Sequence, residues 1–176
     1  MSAERLVNLL GAAAVAVGDR LDEAVTRIAG LKGEAPAALL TVGTRPGRPI
    51  EQLRRALGLS HSGTVRLVDR LERRGWVRRR SRRGGREVHL ELTAEGGTVF
   101  AELLEARRAA LEDLLAPVPE QERVCLERAL ASVLGGLPAD RDDARRICRL
   151  CEHAVCRGSA CPVGSAVGAA AEEAAP

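Results

Sequence analysis

Aromatic side chains are nearly absent from this chain of 176 residues, which has one Trp, one Phe and no Tyr. So few rings offer no obvious stacking pocket for a phenolic small molecule. No apolar run approaches the roughly 18 residues that a membrane-spanning helix needs, so no membrane partner is expected. A phosphate-binding glycine loop, an HExxH motif and a nucleophile elbow are also missing. These absences predict that the chain is not an enzyme.

Lysine is equally scarce, because Lys32 is the only one and arginine supplies almost all of the positive charge. The net charge of the whole chain is only +3. The arginines are clustered, however: ten of them lie in residues 66–86, with only Asp69 and Glu72 as acids. One basic face on a near-neutral body is typical of a nucleic-acid-binding protein. The alternative is a charged loop that is merely solvated.

A helix, a tight turn and a second helix are predicted for residues 50–75. The first helix has one apolar stripe at helical spacing, formed by Ile50, Leu53 and Leu57. Gly58 can adopt the left-handed conformation that ends a helix, and Ser60 is placed to cap the next one. In the second helix three apolar residues are expected to face the core: Val65, Val68 and Leu71.

A two-stranded ribbon is predicted to follow, and Trp76 is expected in the core at its base. The return strand alternates strictly, so that Val88, Leu90 and Leu92 point one way and Glu87, His89 and Glu91 point the other. His89 is therefore expected to be solvated. The turn between the strands is supplied by Gly84-Gly85 within a run of arginines.

A polar start to the second helix, followed by a basic hairpin, favours a protein that reads duplex DNA. The second helix would enter the major groove, and the hairpin would reach phosphates or the neighbouring minor groove. The predicted DNA contacts are Ser60, His61, Ser62, Thr64, Arg66, Arg70, Arg78, Arg80, Arg82, Arg83 and Arg86. Asp69 is interpreted as a structural partner of a neighbouring arginine.

Long helices flank this unit, one over residues 3–29 and two after the ribbon. They carry more apolar surface than so small a unit can cover, which favours a helical dimer interface and suits two-fold DNA half-sites. The predicted fold is mainly α with a small β-wing, a winged helix-turn-helix with long terminal helices forming a dimer interface. The predicted regions are 1–33 and 93–138 for dimerisation, 34–92 for DNA binding, 139–164 for a cysteine-rich module and 165–176 for a disordered tail. The first helix is interpreted as part of a cytoplasmic protein rather than a signal peptide.

Four of the five cysteines lie close together with the spacing C-x2-C-x4-C-x4-C: Cys148, Cys151, Cys156 and Cys161. Such density in a cytoplasmic protein argues against a disulfide framework and for a metal. Zinc binds four thiolates tetrahedrally at about 2.3 Å. An iron–sulfur cluster is the alternative, because closely spaced cysteines followed by Pro162 are similar to ferredoxin runs. Redox-active or free thiols are a third interpretation. His153 is expected to be solvated beside the site, and the alternative is that it replaces one cysteine as a ligand. Cys125 is expected in the core.

Three motifs along the unit are specific in combination. They are Leu57-Gly58-Leu59-Ser60 at the turn, Leu67-Val68-Asp69-Arg70-Leu71-Glu72-Arg73-Arg74-Gly75-Trp76-Val77 into the ribbon, and Leu92-Thr93-Ala94-Glu95-Gly96 after it. Residues 3–137 thereby resemble the MarR family of bacterial winged helix-turn-helix regulators. The resemblance implies an obligate homodimer that binds a pseudo-palindromic operator, usually as a repressor, under the control of a small ligand or of cysteine oxidation.

The wing departs from the family pattern, which carries an Asp followed closely by an Arg. Arg86 matches an arginine position of that pattern, whereas Gly84 and Gly85 stand where the Asp and the first Arg are expected. Arg82 and Arg83 are candidates for the missing contact.

The sequence is consistent with two functions from different classes. The first is a homodimeric, sequence-specific DNA-binding transcriptional regulator that represses, modulated by a small ligand or by the state of its four-cysteine metal site. The second is a metal- or redox-sensing scaffold that acts through protein partners without reading DNA. The cysteine module would be either a staple that orders the tail or a sensor whose metal loss or oxidation releases DNA.

Overall fold

A computed structural model describes residues 2–81 and 87–168, and helices dominate it, which confirms a mainly α fold with a small β-wing. The helices are α1 (Ala3–Ala29), α2 (Ala35–Thr44), α3 (Ile50–Leu57), α4 (His61–Arg73), α5 (Ala94–Leu115), α6 (Glu120–Gly135), α7 (Arg141–Ile147) and α8 (Pro162–Ala166). The strands are β1 (Arg48–Pro49), β2 (Val77–Ser81) and β3 (Val88–Leu92). Two 3-10 turns, Cys148–Leu150 and Gly158–Ala160, lie between α7 and α8.

The sheet has three antiparallel strands in the order β1-β3-β2, so the two-stranded ribbon is extended by one short strand. β1 has only two residues, too few to show any alternation in the sequence. It pairs Pro49 with His89 and thereby covers the position that the alternation assigned to solvent. The prediction for His89 is wrong, because its ring is half-buried and its Nδ1 lies 2.7 Å from the carbonyl oxygen of Gly47.

The hydrophobic core is built around α2, which is buried on almost every side. A helix that is apolar all round has no face to give to water and is therefore enclosed. It packs against α1, α3, α5 and β3. The most deeply buried large side chains come from several of these elements: Leu39, Leu40, Leu67, Leu71, Leu90 and Leu103. This core holds the helix pair α3–α4 and the wing as one unit.

The long flanking helices leave much apolar surface uncovered in the single chain. α1 packs against α5, but its buried residues are only Val25 and Ala29, near its C-terminal end. Leu6 and Leu10 lie further along the same stripe and are 55% and 53% exposed. α6 has no buried residue, and Cys125 on it is exposed, so its predicted core position is wrong for the single chain.

A close backbone approach at the start of α5 explains the glycine in the third of the three motifs. Thr93 caps α5 by accepting a hydrogen bond from the Gly96 amide at 3.0 Å, and its own amide donates to the Trp76 carbonyl at 3.0 Å. A Cβ atom added at Gly96 would lie 1.9 Å from the Trp76 carbonyl oxygen. The wing base and α5 can therefore meet only if residue 96 has no side chain.

Gly96→Ala is expected to lower the free energy of unfolding by about 1–3 kcal/mol, because overpacking at a rigid backbone contact forces the two elements apart. Gly97→Ala is the matched control, since a Cβ there meets nothing within 4 Å. It is expected to raise the free energy of unfolding by about 0.4–1 kcal/mol. Urea unfolding of both variants checks this, and equal shifts in the same direction would contradict the close approach.

After residue 139 the chain forms the short helices α7 and α8 with two 3-10 turns between them. Asp140 caps α7, because its side chain accepts hydrogen bonds from the amides of Asp142 and Asp143 at 2.8 Å. The tail predicted as disordered from residue 165 instead begins inside α8, and residues 169–176 lie outside the described residues. None of the helices in the described part of the chain has the length and apolar content needed to cross a bilayer.

Candidate nucleic-acid interface

The turn between α3 and α4 is formed as its residues predict. Gly58 has a φ of 64° and donates its amide to the carbonyls of Arg54 and Arg55. The hydroxyl of Ser60 accepts a hydrogen bond from the Gly63 amide at 3.1 Å and caps α4. A left-handed glycine and a capped start together define how α4 leaves the turn.

The inward face of α4 differs by one step from the predicted one. Its buried residues follow the spacing i, i+3, i+4, i+7: Thr64, Leu67, Val68 and Leu71. Val65 is only half-buried. Thr64 is 1% exposed and donates its hydroxyl to the Ser60 carbonyl at 2.9 Å, so its prediction as a DNA contact is wrong. A threonine whose hydroxyl bonds the preceding turn can occupy a core position, which polarity alone does not indicate.

The outward face of α4 carries the other predicted contacts of this helix. His61, Ser62, Arg66 and Arg70 are exposed. Ser62, Arg66 and Arg70 follow at four-residue spacing and so form one stripe on the helix. Within the part of the chain that the structure describes, neither Arg66 nor Arg70 forms an ion pair. Both guanidinium groups are therefore available to an external acceptor.

Arg79 joins the wing to α4, a role that the sequence did not single out. Its guanidinium forms ion pairs with Asp69, at 2.8 Å, and with Glu72. Its backbone amide also donates to Glu72 at 3.0 Å. Asp69 is thus the structural partner of an arginine, as predicted. The signal available in the sequence was two acids three residues apart on a helix that is otherwise basic, since such a pair shares one face.

Arg78 and Arg80, both predicted contacts, lie on the exposed side of β2 and share one acidic neighbour. The Glu91 carboxylate accepts from Arg78 at 3.0 Å and from Arg80 at 3.3 Å. The hydrogen bond from Arg78, together with the charges of both arginines, lowers the pKa of Glu91. The carboxylate stays ionised at neutral pH and offsets part of the positive charge at the wing base.

The tip of the wing lies outside the described residues. Three predicted contacts fall there, Arg82, Arg83 and Arg86, together with the predicted Gly84-Gly85 turn. At the wing base Trp76 is 6% exposed and belongs to the core, as predicted. The guanidinium of Arg74 lies 5.4 Å from the centre of its ring.

The four predicted metal ligands line a single cavity of about 680 Å³. Each is half-buried and none forms a disulfide. A hydrogen bond with Cys148 lowers the pKa of Cys151 to about 7, although burial acts against it, and the charge of Arg107 adds to the lowering. The same hydrogen bond, burial and the neighbouring Cys161 raise the pKa of Cys148. The first proton of this thiol group therefore leaves more readily than the next.

No set of three or more His, Cys, Asp or Glu side chains in residues 2–81 and 87–168 already has the arrangement that holds a metal ion. The four-cysteine metal site accordingly stays a prediction. His153 is half-buried beside the thiols rather than solvated, with its Nε2 3.4 Å from the Cys148 carbonyl oxygen. Burial, and then the charge of Arg45, lowers the pKa of His153, so the ring is neutral at neutral pH.

This arrangement of α3, turn, α4 and wing is that of a winged helix-turn-helix protein. The family model described as MarR family matches residues 29–87, which run from the end of α1 to the return strand of the wing. The winged-helix region of the chain thus matches the MarR family, as the three motifs predicted. That family consists of regulators of transcription rather than enzymes.

Named relatives agree with this assignment. The transcriptional repressor MprA of Escherichia coli K12 is 31% identical over 109 residues, which cover 60% of this chain and 62% of MprA. The chain therefore spans less than two thirds of that relative's length. Crystal structures of RV1404 from Mycobacterium tuberculosis and of Streptococcus pneumoniae FabT in complex with DNA share the fold. Their TM-scores are 0.68 and 0.62 at 22% and 20% identity, covering 77% and 75% of this chain and 94% of each of theirs.

Proposed function

We propose that the protein is a homodimeric, sequence-specific DNA-binding regulator of transcription that acts as a repressor. The observation that carries the proposal is the stripe of Ser62, Arg66 and Arg70, exposed on α4 beside a basic wing on a near-neutral chain. A relative named as a repressor and a structural neighbour crystallised with DNA support it.

The two arginines of the stripe are the proposed readers of base edges. Arginine donates two parallel hydrogen bonds to the O6 and N7 atoms of guanine in the major groove. His61 and Ser62 stand at the first turn of α4, where a recognition helix meets the groove, and Ser60 keeps its capping role at the helix start. Phosphate and minor-groove contacts are assigned to the wing, through Arg78 and Arg80 and, by their place in the sequence, Arg82, Arg83 and Arg86.

A two-fold dimer is supported by the uncovered apolar stripe of α1 and by an α6 without any buried residue. A large apolar area exposed on one chain marks a surface for another protein. In a symmetric dimer the two copies of α4 would face half-sites about 10–10.5 base pairs apart. The operator is accordingly expected to be pseudo-palindromic.

The test is a titration of the full chain against a duplex carrying the region upstream of its own gene, with an unrelated duplex of equal length as competitor. Binding to the upstream duplex is expected to be at least about 10³-fold tighter than binding to the competitor at physiological salt. Equal affinity for both duplexes would contradict sequence-specific binding. A protein that holds a metal but has no salt-dependent affinity for either duplex would favour the scaffold function instead.

Glu91→Gln is expected to strengthen binding to duplex DNA at low salt, because it releases Arg78 and Arg80 from their shared carboxylate. The dependence of log affinity on log salt concentration should steepen by roughly one unit. Glu105→Gln is the matched control, since Glu105 also pairs with an arginine, Arg108, but lies on α5 away from the wing. Fluorescence anisotropy at several salt concentrations measures both slopes. If the two variants have identical slopes, Arg78 and Arg80 do not contact DNA.

Modulation is proposed to enter through the cysteine module or through a small ligand. The cavity of about 680 Å³ that the cysteines line falls within the usual size of a small-molecule site, about 300–1,000 Å³. Phe100 and Leu104 contribute apolar wall, and Arg45 contributes positive charge. An anionic effector of moderate size suits this lining better than a neutral one.

A further inference from the structure

The cysteine module is seated on the helix-turn-helix rather than hanging free from α6. α7 packs along α3, and the 3-10 turn Cys148–Leu150 packs against α2. Asp142 of α7 forms an ion pair with Arg55 of α3 at 4.0 Å. The Cδ atom of Arg146 lies 3.6 Å from the position of a Cβ at Gly58, the glycine of the turn. The module therefore contacts α3 and the turn at Gly58, which precede α4 in the chain.

The module buries few apolar side chains that could stabilise its position against α3. Within residues 139–168 its buried hydrophobic side chains are Ala144 and Val163, and Leu150 reaches the main core in part. So small a buried area cannot offset the entropy of ordering about thirty residues. Small units of this kind depend on cross-links or on a metal for their stability. The four cysteines are unlinked by disulfides.

The four thiols line one cavity, and the half-buried Arg107 lies near them. Cys148 interacts with Cys151 and Cys161, and Cys156 interacts with Cys161. The sulfur of Cys161 also accepts a hydrogen bond from the Gly164 amide at 3.1 Å. Arg107, which reaches the thiols from α5, has a buried Nε atom without a hydrogen-bond partner in the described residues. A buried donor of this kind needs an acceptor, which an ordered water molecule or an anionic neighbour would supply.

Four thiolates around a divalent ion provide such a neighbour, because they leave a net charge of about −2. The donor set is soft, which selects zinc or an iron–sulfur cluster over magnesium or calcium. Each coordinated thiol gives its proton to solvent, and no electron is exchanged when zinc binds. The sulfurs must move to close around the ion, since they do not yet have a coordinating arrangement.

We propose that Cys148, Cys151, Cys156 and Cys161 bind one soft metal centre, a zinc ion or an iron–sulfur cluster, and that its occupancy fastens the module onto α3 and the turn at Gly58. Arg107 acts as its charge-compensating partner. As a means of regulating DNA binding, this inference rests on the proposed function. The bound metal would fix the position of α3 and, through the turn, the position of α4. It would do so without itself contacting DNA.

The first measurement is the metal content of full-length protein purified without oxygen, with zinc, iron and sulfide counted per chain and a visible absorption spectrum recorded. About one zinc per colourless chain, or a coloured chain with iron and sulfide, supports the centre and tells the two forms apart. Cys161→Ser should lose the metal, whereas Cys125→Ser on α6 should keep it. Arg107→Gln should weaken zinc binding about 10–100-fold in a chelator competition, as for other outer partners of metal ligands. Reduced protein without zinc or iron would overturn the proposal.

The second measurement is hydrogen exchange of the free protein, without DNA, before and after zinc removal by a chelator. Removal should speed amide exchange in α3 by about tenfold or more and leave the first half of α1 unchanged. Unchanged exchange in α3 would overturn the coupling even if metal is present. If the protein still binds DNA with full affinity after its metal is removed, only the regulatory role of the metal is contradicted. If the protein holds its metal and metal removal speeds exchange in α3, but the protein binds no duplex, only the proposed function is contradicted.

Discussion

Leu10→Glu is expected to convert the protein to a monomer and to lower its affinity for its operator by about 10³-fold or more. Leu10 is 53% exposed and continues the stripe of α1 that ends at buried Val25 and Ala29. In a two-fold interface one substitution places two carboxylates in an apolar contact, where burial of an unpaired charge is strongly unfavourable. A monomer keeps one half-site, so its binding falls toward the non-specific level.

Asn8→Glu is the matched control, because it adds the same charge to the same helix on a side away from the stripe. Sedimentation velocity gives the oligomeric state of both variants, and a gel shift on the operator gives their affinities. Asn8→Glu should remain a dimer with unchanged affinity. A Leu10→Glu protein that is still dimeric and fully active would place the dimer interface elsewhere, with α6 as the remaining uncovered apolar face.

Arg66→Ala is expected to cost about 1–3 kcal/mol of binding free energy at each half-site and to relax the preference at one base pair there. Arg66 is exposed near the middle of the α4 stripe, one helical turn from Arg70. Because each protomer of a dimer would carry one such contact, the loss is counted twice per operator. The effect should be much smaller on unrelated DNA, where the base contact is not made.

Arg66→Lys separates base reading from simple charge. Lysine keeps the positive charge and the phosphate attraction but cannot form the planar two-bond contact. The salt dependence should therefore be preserved while the base preference weakens. Arg20→Ala, an exposed arginine on α1, is expected to change neither quantity. If Arg66→Lys retains full preference at every base of the operator, Arg66 contacts phosphate rather than a base.

Local rules were sufficient for most of the fold. The bounds of α1, α3 and α4 follow from apolar spacing and from caps that act within four residues, such as Ser60 on Gly63. The fold class and the match to the family model also followed, because the turn and the strand–helix junction at Gly96 constrain the residues that can stand there. Gly96 is demanded by a carbonyl that is twenty residues away in sequence, and only a family pattern carries that information.

Features that arise from tertiary contacts could not be predicted in the same way. β1 has two residues, and only its pairing with β3 makes it a strand and buries His89. Thr64 is polar, yet its hydroxyl is satisfied inside the helix, so polarity assigned it to the wrong face. The pairing of Arg79 with Asp69 and Glu72 depends on how β2 crosses α4. The packing of the cysteine module against α3 likewise cannot be predicted from the spacing of its cysteines.

In the proposed function, two copies of α4 related by two-fold symmetry read duplex DNA. Selection of bound duplexes from a random-sequence pool tests it most directly, because it assumes no operator. We expect an enriched motif with two inverted half-sites about 10–10.5 base pairs apart, and, with Arg66→Ala, loss of the preference at one base pair in each half-site. A pool that stays random after selection, or a single half-site without an inverted copy, would contradict it.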